Sequence, residues 1–252
     1  LPYFASIRSG LTSYTKSMSR ILDKHCDLIL VGDSLANVLY GMKTTHDLKL
    51  ETMINHAKSV KLGTKNSLLV VDMPKNSYKN PNQAVKNAKL IIKKTGCDAI
   101  KIENNSYNLN IVKALKKSKI DVMGHIGYTP QFKKKFKAEG KNRKEQIKLL
   151  KQAQNIEKAG AFSIVLECIS KKTANKITQL LKIPTIGIGS SNVCDGQILV
   201  TDDMLGISGF YPKFVKKYAN LNRIIEKAIK KYTRDVKLKK FPSKKNFLNG
   251  SR

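Results

Sequence analysis

Short, almost unbroken apolar runs alternate with stretches of helical spacing along nearly the whole chain. Runs of this kind are typical of parallel strands that are covered on both faces. They predict strands near residues 28–33, 67–72, 98–103, 120–125, 161–167, 183–188 and 197–201, with a weaker one at 6–13. The helical spacing predicts helices over Glu51–Leu62, Gln83–Thr95, Asn108–Ser118, Lys144–Ala159 and Lys171–Leu181.

Alternating strands and helices without an internal boundary favour a closed (β/α)₈ barrel over an open sheet. We therefore predict a single α/β barrel domain over residues 1–252. Within it we expect C-terminal helices from about residue 213 and a polar tail from about residue 241. No Pro-, Gly- or Ser-rich linker interrupts residues 13–235, which agrees with one domain.

Four of the predicted strands end in an acidic residue. In the runs LILVGDS, LLVVDMP, AIKIENN and SIVLECI the acids at the strand ends are Asp33, Asp72, Glu103 and Glu167. An unpaired buried charge is costly, so carboxylates at buried strand ends indicate chemistry rather than packing. In a barrel all C-terminal strand ends face one mouth, and the four acids are therefore expected to converge there.

The first three acids predict a metal site. Asp33, Asp72 and Glu103 are hard oxygen ligands with no closely spaced Cys or His, which suits Mg²⁺ better than zinc. A single strand-end acid is more often a helix cap, but three at corresponding ends favour a shared ion. Lys101 stands two residues before Glu103, so both side chains point to the same face of the strand. We expect its ammonium beside the substrate; the alternative is a structural pair with Glu103.

Two further residues are candidates for proton chemistry or substrate contact. His125 lies at a strand end between Gly124 and Gly127, which allow close approach of backbone and ligand; its alternative role is structural. Glu167 ends the most apolar strand, where desolvation raises the pKa of a carboxyl and makes it a general base near neutral pH. Its alternative is a carboxylate neutralised by lysine. The lysine-rich segment Gln131–Asn142 is interpreted as an active-site loop and candidate lid.

The formal net charge of +30 raises the possibility of nucleic-acid or anionic-membrane binding. Lysine dominates this charge, and Arg-rich base-reading elements and aromatic stacking platforms are absent from the sequence. We interpret it as a solvated lysine face and predict no specific nucleic-acid partner. Without a membrane-length apolar stretch or CxxC pair, we also predict a cytoplasmic protein with reduced thiols and no membrane partner.

Several motifs together carry a specific resemblance. VGDSLANVLYG, VVDMP, IKIEN, VMGHIGYTPQ, IVLEC, IPTIGIG, CDGQ and DMLG occur in the order and approximate spacing of the ketopantoate (3-methyl-2-oxobutanoate) hydroxymethyltransferase family. The resemblance implies a (β/α)₈ barrel, a magnesium ion and a role in pantothenate biosynthesis. It also implies 5,10-methylenetetrahydrofolate as the one-carbon donor to 3-methyl-2-oxobutanoate, and a homo-oligomer, specifically a decamer.

Carried over by position, the resemblance makes Glu167 the proton acceptor and Asp33, Asp72 and Glu103 the Mg²⁺ ligands. The substrate-binding candidates are Asp33, Ser34, Asp72, Lys101 and His125. The chain also departs from the family pattern. Asn104–Asn105 replace Gly-Gly, a mild change because Asn tolerates left-handed backbone, and Ser190–Ser191 replace Ala-Gly.

The predicted reaction begins with removal of the C3 hydrogen of the keto acid by Glu167. Mg²⁺ and Lys101 hold the enolate, which attacks the folate-borne methylene group to give 2-dehydropantoate. One alternative is a Mg²⁺-dependent 2-oxo acid C–C lyase or phosphoenolpyruvate-mutase-like enzyme, although those lyases resemble a set with a catalytic loop Cys that this sequence lacks. A more distant alternative is a basic nucleic-acid-binding protein on a degenerate barrel.

Overall fold

The computed structural model describes residues 7–104, 108–133, 137–209 and 211–247. Eight parallel strands pair in chain order, and β8 closes the barrel on β1. The strands are β1 Ser9–Thr12, β2 Leu28–Val31, β3 Leu68–Asp72, β4 Ala99–Lys101, β5 Val122–Gly127, β6 Ser163–Glu167, β7 Thr185–Ile188 and β8 Gly196–Leu199. The prediction of a (β/α)₈ barrel is confirmed; residue 6 of the predicted first strand lies outside the described residues.

Helices follow the strands along the chain. They are α1 Lys16–Leu22, α2 Leu35–Val38, α3 Leu50–Lys61, α4 Pro81–Thr95, α5 Leu109–Lys117, α6 Arg143–Lys158, α7 Lys171–Leu180, α8 Thr201–Met204 and α9 Leu221–Lys237, with a 3₁₀ turn at Lys244–Asn246. The five predicted helices are confirmed. Helix α4 shows why: the Asn80 side chain caps its first turn, Pro81 opens it, and left-handed Gly96 ends it.

The period-two alternation of each strand divides its side chains between the barrel interior and the helix layer. Buried Val70, Ala99, Met123 and Val165 belong to the interior cluster. Their outward neighbours, such as Val71, Ile100 and Ile164, belong to the larger cluster that includes buried helix residues. Two residues further along the same faces the side chains become polar: Asp72, Lys101, His125 and Glu167. The apolar interior therefore ends in a polar layer at the carboxyl mouth.

The chain divides into two compact units, Leu1–Thr201 and Asp202–Arg252. The first contains all eight strands, and the second contains α9. The predicted C-terminal helical segment is thus present, whereas a single domain over residues 1–252 stays a prediction. Residues 248–252 of the predicted polar tail lie outside the described residues.

None of the described helices combines the length and the apolar character needed to cross a bilayer. The four cysteines carry free thiols, as the sequence predicted.

The interior layer beneath the mouth is expected to dominate the stability of the barrel. Met123 is fully buried there, so Met123→Ala should lower the free energy of unfolding by about 2–5 kcal/mol through lost burial and a residual cavity. Ile147 on α6 is 56% exposed, and Ile147→Ala should change it by less than about 0.5 kcal/mol. Urea unfolding of both variants measures the difference; equal effects would contradict the assigned packing.

Candidate active site

The ends of β2, β3 and β4 bring three charged groups together at the mouth. The register pairs Asp72 directly with Lys101, and the Lys101 ammonium lies 2.8 Å from Asp72 Oδ1. Both side chains are buried. The backbone N–H of Asp33 donates to the other Asp72 oxygen at 2.9 Å. Lys101 is therefore ion-paired with Asp72, rather than with Glu103 as the structural alternative proposed.

The backbone turn after β2 depends on Gly32. A Cβ atom there would lie 2.9 Å from Ser34 Oγ, and 3.7 Å from an Asp72 carboxylate oxygen. The glycine thus leaves room for Asp33 and Ser34 to turn toward the mouth. Ser34 lies at the start of α2, and its hydroxyl is 2.9 Å from that of Tyr14, which fixes its direction.

Glu103 follows β4 and is almost completely buried, with 1% of its surface exposed. Its backbone carbonyl accepts a hydrogen bond from the Asn108 side chain at 2.8 Å. Beside it, Asn104 donates its backbone N–H to His125 and accepts the His125 N–H through its own side chain. Asn104 is not among the described residues with positive φ, so its side-chain hydrogen bond, rather than left-handed backbone, is its contribution. Asn105 lies outside the described residues.

His125 and Glu167 meet at the centre of the mouth. His125 Nε2 lies 3.1 Å from Glu167 Oε2, and its Nδ1 lies 4.0 Å from Glu103 Oε1. The Glu167 side chain is 17% exposed whereas that of His125 is 3% exposed, so Glu167 presents more of its surface to a ligand. The backbone N–H of Tyr128 donates to the Glu167 carbonyl at 2.8 Å and fixes the strand end.

The close approach of the β5 end to the Glu167 backbone requires glycine at position 127. Gly127 has φ 95°, in the left-handed region that side chains rarely adopt, and a Cβ atom would lie 2.1 Å from the Glu167 carbonyl oxygen. Gly124 likewise approaches Ile156 and the Asn104 side chain closely. The two glycines predicted to flank a functional histidine therefore allow close packing of neighbouring strands and helices.

Gln131 is a residue of the site to which sequence reasoning assigned no role. The sequence places it at the start of a lysine-rich active-site loop, and the structure shows that it is only 1% exposed. Its side-chain NH₂ donates to Asp33 Oδ2 at 2.9 Å, and its backbone N–H donates to Glu103 Oε2 at 3.0 Å. The available signal was its position in the HIGYTPQ motif, directly after a strand end. Residues 134–136 of the same loop lie outside the described residues.

Burial and mutual repulsion raise the proton affinity of the carboxyl groups. Burial raises the pKa of Glu167 to about 8, and nearby Asp33 adds to the effect against the opposing field of Lys101. The pKa of Asp72 rises to about 6, mainly because of burial, although Lys101 opposes the rise. Burial and the Asp33 charge also place the pKa of Glu103 well above its usual value.

The two basic groups respond in opposite directions. Burial alone would lower the pKa of Lys101, but the carboxylates of Asp72, Asp33 and Glu103 raise it above its ordinary value. Burial and nearby Lys101 place the pKa of His125 well below its usual value, so the imidazole is neutral. The positive charge of the site therefore resides on Lys101, not on His125.

The chemistry of the donor set fits a divalent cation. Four carboxyl groups face the mouth, and the buried ammonium beside them offsets only part of their charge. Among the described residues, however, no three His, Cys, Asp or Glu side chains already stand as a ligand group. Lys101 pairs with one Asp72 oxygen, and Gln131 binds an oxygen each of Asp33 and Glu103. The carboxylates thus lie in the same part of the mouth, but their present arrangement is not that of a set of metal ligands.

Comparison with known proteins agrees with this geometry. The family model described as ketopantoate hydroxymethyltransferase matches residues 7–244. A 3-methyl-2-oxobutanoate hydroxymethyltransferase of Pelagibacter ubique is 50% identical over 237 residues, covering 94% of this chain and 92% of that protein. One from Anaplasma marginale is 48% identical over 92% of this chain and 85% of its own length. One from Bartonella henselae is 47% identical, with 93% and 86% covered.

Solved structures show the same fold at low sequence identity. A 2,3-dimethylmalate lyase of the PEP mutase/isocitrate lyase superfamily has a TM-score of 0.63 at 14% identity and covers 98% of this chain and 89% of its own. A phosphonopyruvate hydrolase complex with oxalate and Mg²⁺ has a TM-score of 0.61 at 11% identity, with 97% and 91% covered. These likenesses support the barrel, while the sequence relatives and the family model decide the family. The chain belongs to the ketopantoate hydroxymethyltransferase family.

Proposed function

We propose that this protein transfers a hydroxymethyl group from 5,10-methylenetetrahydrofolate to 3-methyl-2-oxobutanoate and gives 2-dehydropantoate, a step of pantothenate biosynthesis. The observation that carries the proposal is the position of Glu167. This carboxyl group has a raised pKa and is partly accessible at the mouth. The mouth also contains a buried ammonium and three further carboxyl groups. Family membership supplies the substrates, and this arrangement supplies the chemistry.

Lys101 and the residues after β2 are proposed to bind the keto acid. The buried Lys101 ammonium stabilises the negative charge that develops on the keto oxygen, because electrostatic interactions strengthen where water is excluded. Asp33, Ser34 and Asp72 surround the carboxylate end of the substrate. His125 is proposed as a further contact that also orients Glu167, from which it lies 3.1 Å.

Asp33, Asp72 and Glu103 are the residues proposed to hold Mg²⁺. Their oxygens are the donors that this ion prefers, and their shared negative charge favours a divalent cation. When bound, Mg²⁺ polarises the ketone and acidifies the neighbouring C–H group.

Glu167 is proposed to remove the C3 proton of the keto acid. The electron pair of that C–H bond forms the enolate, which then makes a bond from C3 to the methylene carbon as the first of that carbon's two bonds to folate nitrogen breaks. Water then forms the C–O bond as the second carbon–nitrogen bond breaks, and tetrahydrofolate leaves. The proton taken up by Glu167 and one proton of the water end on the two freed folate nitrogens, while His125 stays neutral.

The family match also weighs against the alternative activities. Relatives at 43–50% identity carry the transferase name, whereas the lyase and mutase structures are 10–14% identical and share the fold. A cytoplasmic location and the lack of a specific nucleic-acid partner stay predictions.

The activity is tested with 3-methyl-2-oxobutanoate, Mg²⁺ and 5,10-methylenetetrahydrofolate. The wild type should form 2-dehydropantoate and, without folate, exchange the C3 hydrogen for deuterium in D₂O. Glu167→Gln should lower this exchange by at least about 10²-fold, because the general base is lost, while the keto acid still binds. Exchange by NMR and binding by calorimetry measure the two effects; wild-type exchange in this variant would exclude Glu167 as the base.

The raised pKa of Glu167 also predicts a pH-dependent stability. The folded carboxyl retains its proton to about pH 8, whereas an unfolded Glu releases it near about pH 4.3. The contribution of this carboxyl group to the free energy of unfolding is therefore fully present below the unfolded pKa, and it is lost as the pH rises toward 8. In EDTA, Glu167→Gln should raise Tm relative to the wild type more at pH 9 than at pH 5. A difference that does not change with pH would contradict the shift.

We also propose a homo-oligomer, and the resemblance implies a decamer. Helix α9 has no buried residue in the single chain, and its exposed apolar side chains include Ile224, Ile229, Tyr232 and Val236. Exposed apolar patches of this kind commonly mark protein interfaces.

Replacing both Ile224 and Ile229 by Glu should lower the assembly state measured by analytical ultracentrifugation. The change of Lys227 and Lys231 on the same helix to Gln lowers the net charge by the same amount and is the matched control. A monomeric wild type would contradict the proposal, and so would identical assembly of the isoleucine variant and the wild type.

A further inference from the structure

Gln131 makes four hydrogen bonds in the centre of the carboxylate cluster. Its backbone N–H donates to Glu103, and its side-chain NH₂ donates to Asp33. The same NH₂ group donates to the Met73 carbonyl at 3.1 Å, and the side-chain carbonyl accepts from the Tyr78 hydroxyl at 2.5 Å. One residue thus connects the ends of β2, β3 and β4.

The direction of the Gln131 amide is fixed by its partners. The Asp33 carboxylate and the Met73 carbonyl only accept hydrogen bonds, so the NH₂ group must face them. The Tyr78 hydroxyl donates to the opposite side. A reversed amide would bring its oxygen against two acceptors, and this orientation is therefore the one that the surroundings allow.

The backbone around Gln131 is held by contacts outside the cluster. His46 Nε2 lies 3.0 Å from the Pro130 carbonyl, one residue before Gln131. The N–H groups of Phe132 and Lys133 both bond to the Thr129 carbonyl at 2.9 Å and close a turn. The loop that carries the amide is therefore held by further contacts besides those with Asp33 and Glu103.

We propose that Gln131 is a positioning residue that sets Asp33 and Glu103 at the separation from which they bind one divalent cation. The inference rests on the proposed function, which makes these two residues metal ligands. Two nearby carboxylates repel each other, and a neutral donor that bridges them offsets the repulsion without adding charge. A lysine or arginine in its place would neutralise the carboxylates and weaken the attraction for a cation, whereas glutamine leaves that attraction intact.

The test is the affinity for Mg²⁺ of Gln131→Met, measured by calorimetry on metal-free protein. This change keeps the length of the side chain and the backbone contact to Glu103 but removes the amide. Loss of a residue that orients metal ligands typically costs about 10–100-fold in metal affinity, and we expect a decrease of that size. Tyr78→Phe, which removes only the hydroxyl that orients the amide, should show a smaller decrease.

Gln146→Met is the matched control. Gln146 lies on α6, and its side chain bonds to Thr173 and Lys176, so the same chemical change occurs outside the cluster. This variant should bind Mg²⁺ as the wild type does. Saturating Mg²⁺ should restore deuterium exchange in Gln131→Met, because the defect lies in cation affinity; a folding defect would not be rescued.

The outcomes separate this inference from the proposed function. A wild-type protein that binds no Mg²⁺ contradicts the proposed function itself. Wild-type affinity in both Gln131→Met and Tyr78→Phe overturns the positioning role alone, as does a loss equal to that of Gln146→Met. If Gln131→Met does not fold, Tyr78→Phe decides, since its smaller change leaves the amide in place.

Discussion

The chemistry of this protein depends on an excess of negative charge at the end of an apolar barrel. Four carboxyl groups lie at the mouth above an interior of Val, Ala and Met, and a buried ammonium offsets part of their charge. Such an arrangement is costly unless protons or a cation complete it. This cost is the reason why burial raises the pKa values of Asp72, Glu103 and Glu167. The burial of negative charge that raises the pKa of these carboxyl groups is therefore also what favours a cation beside them.

The barrel and the strand-end acids could be predicted because both follow from local rules. Alternation with period two places Asp72 on the face of Val70 and Glu167 on that of Val165. Because the strands are parallel and the barrel is closed, the ends of these faces lie at one mouth, independently of the loop conformations. The ion-pair partner of Lys101, Asp72, lies on another strand, and only the register between β3 and β4 reveals it.

Gln131 could not be located by the same reasoning. The sequence after it contains many lysines and an exposed Phe132, so the local pattern predicts an active-site loop but gives no sign that Gln131 is buried. Its burial arises from contacts with Asp33 and Tyr78, which are distant in sequence and depend on how three loops fold over the mouth. His46, which is also distant in sequence, contacts the same loop through the Pro130 carbonyl. Hydrophobic periodicity carries no information about such contacts.

The end of β5 has a consequence for how the two parts of the site are arranged. Gly127 packs against the backbone of Glu167, and its own carbonyl accepts the Lys133 ammonium at 2.5 Å. Four residues later the same segment delivers the Gln131 amide to Asp33. The group proposed to take up a proton and the groups proposed to attract a cation are therefore linked by one short stretch of main chain. A side chain at position 127 would push this stretch away from the Glu167 backbone and would thereby change the distance between the two groups.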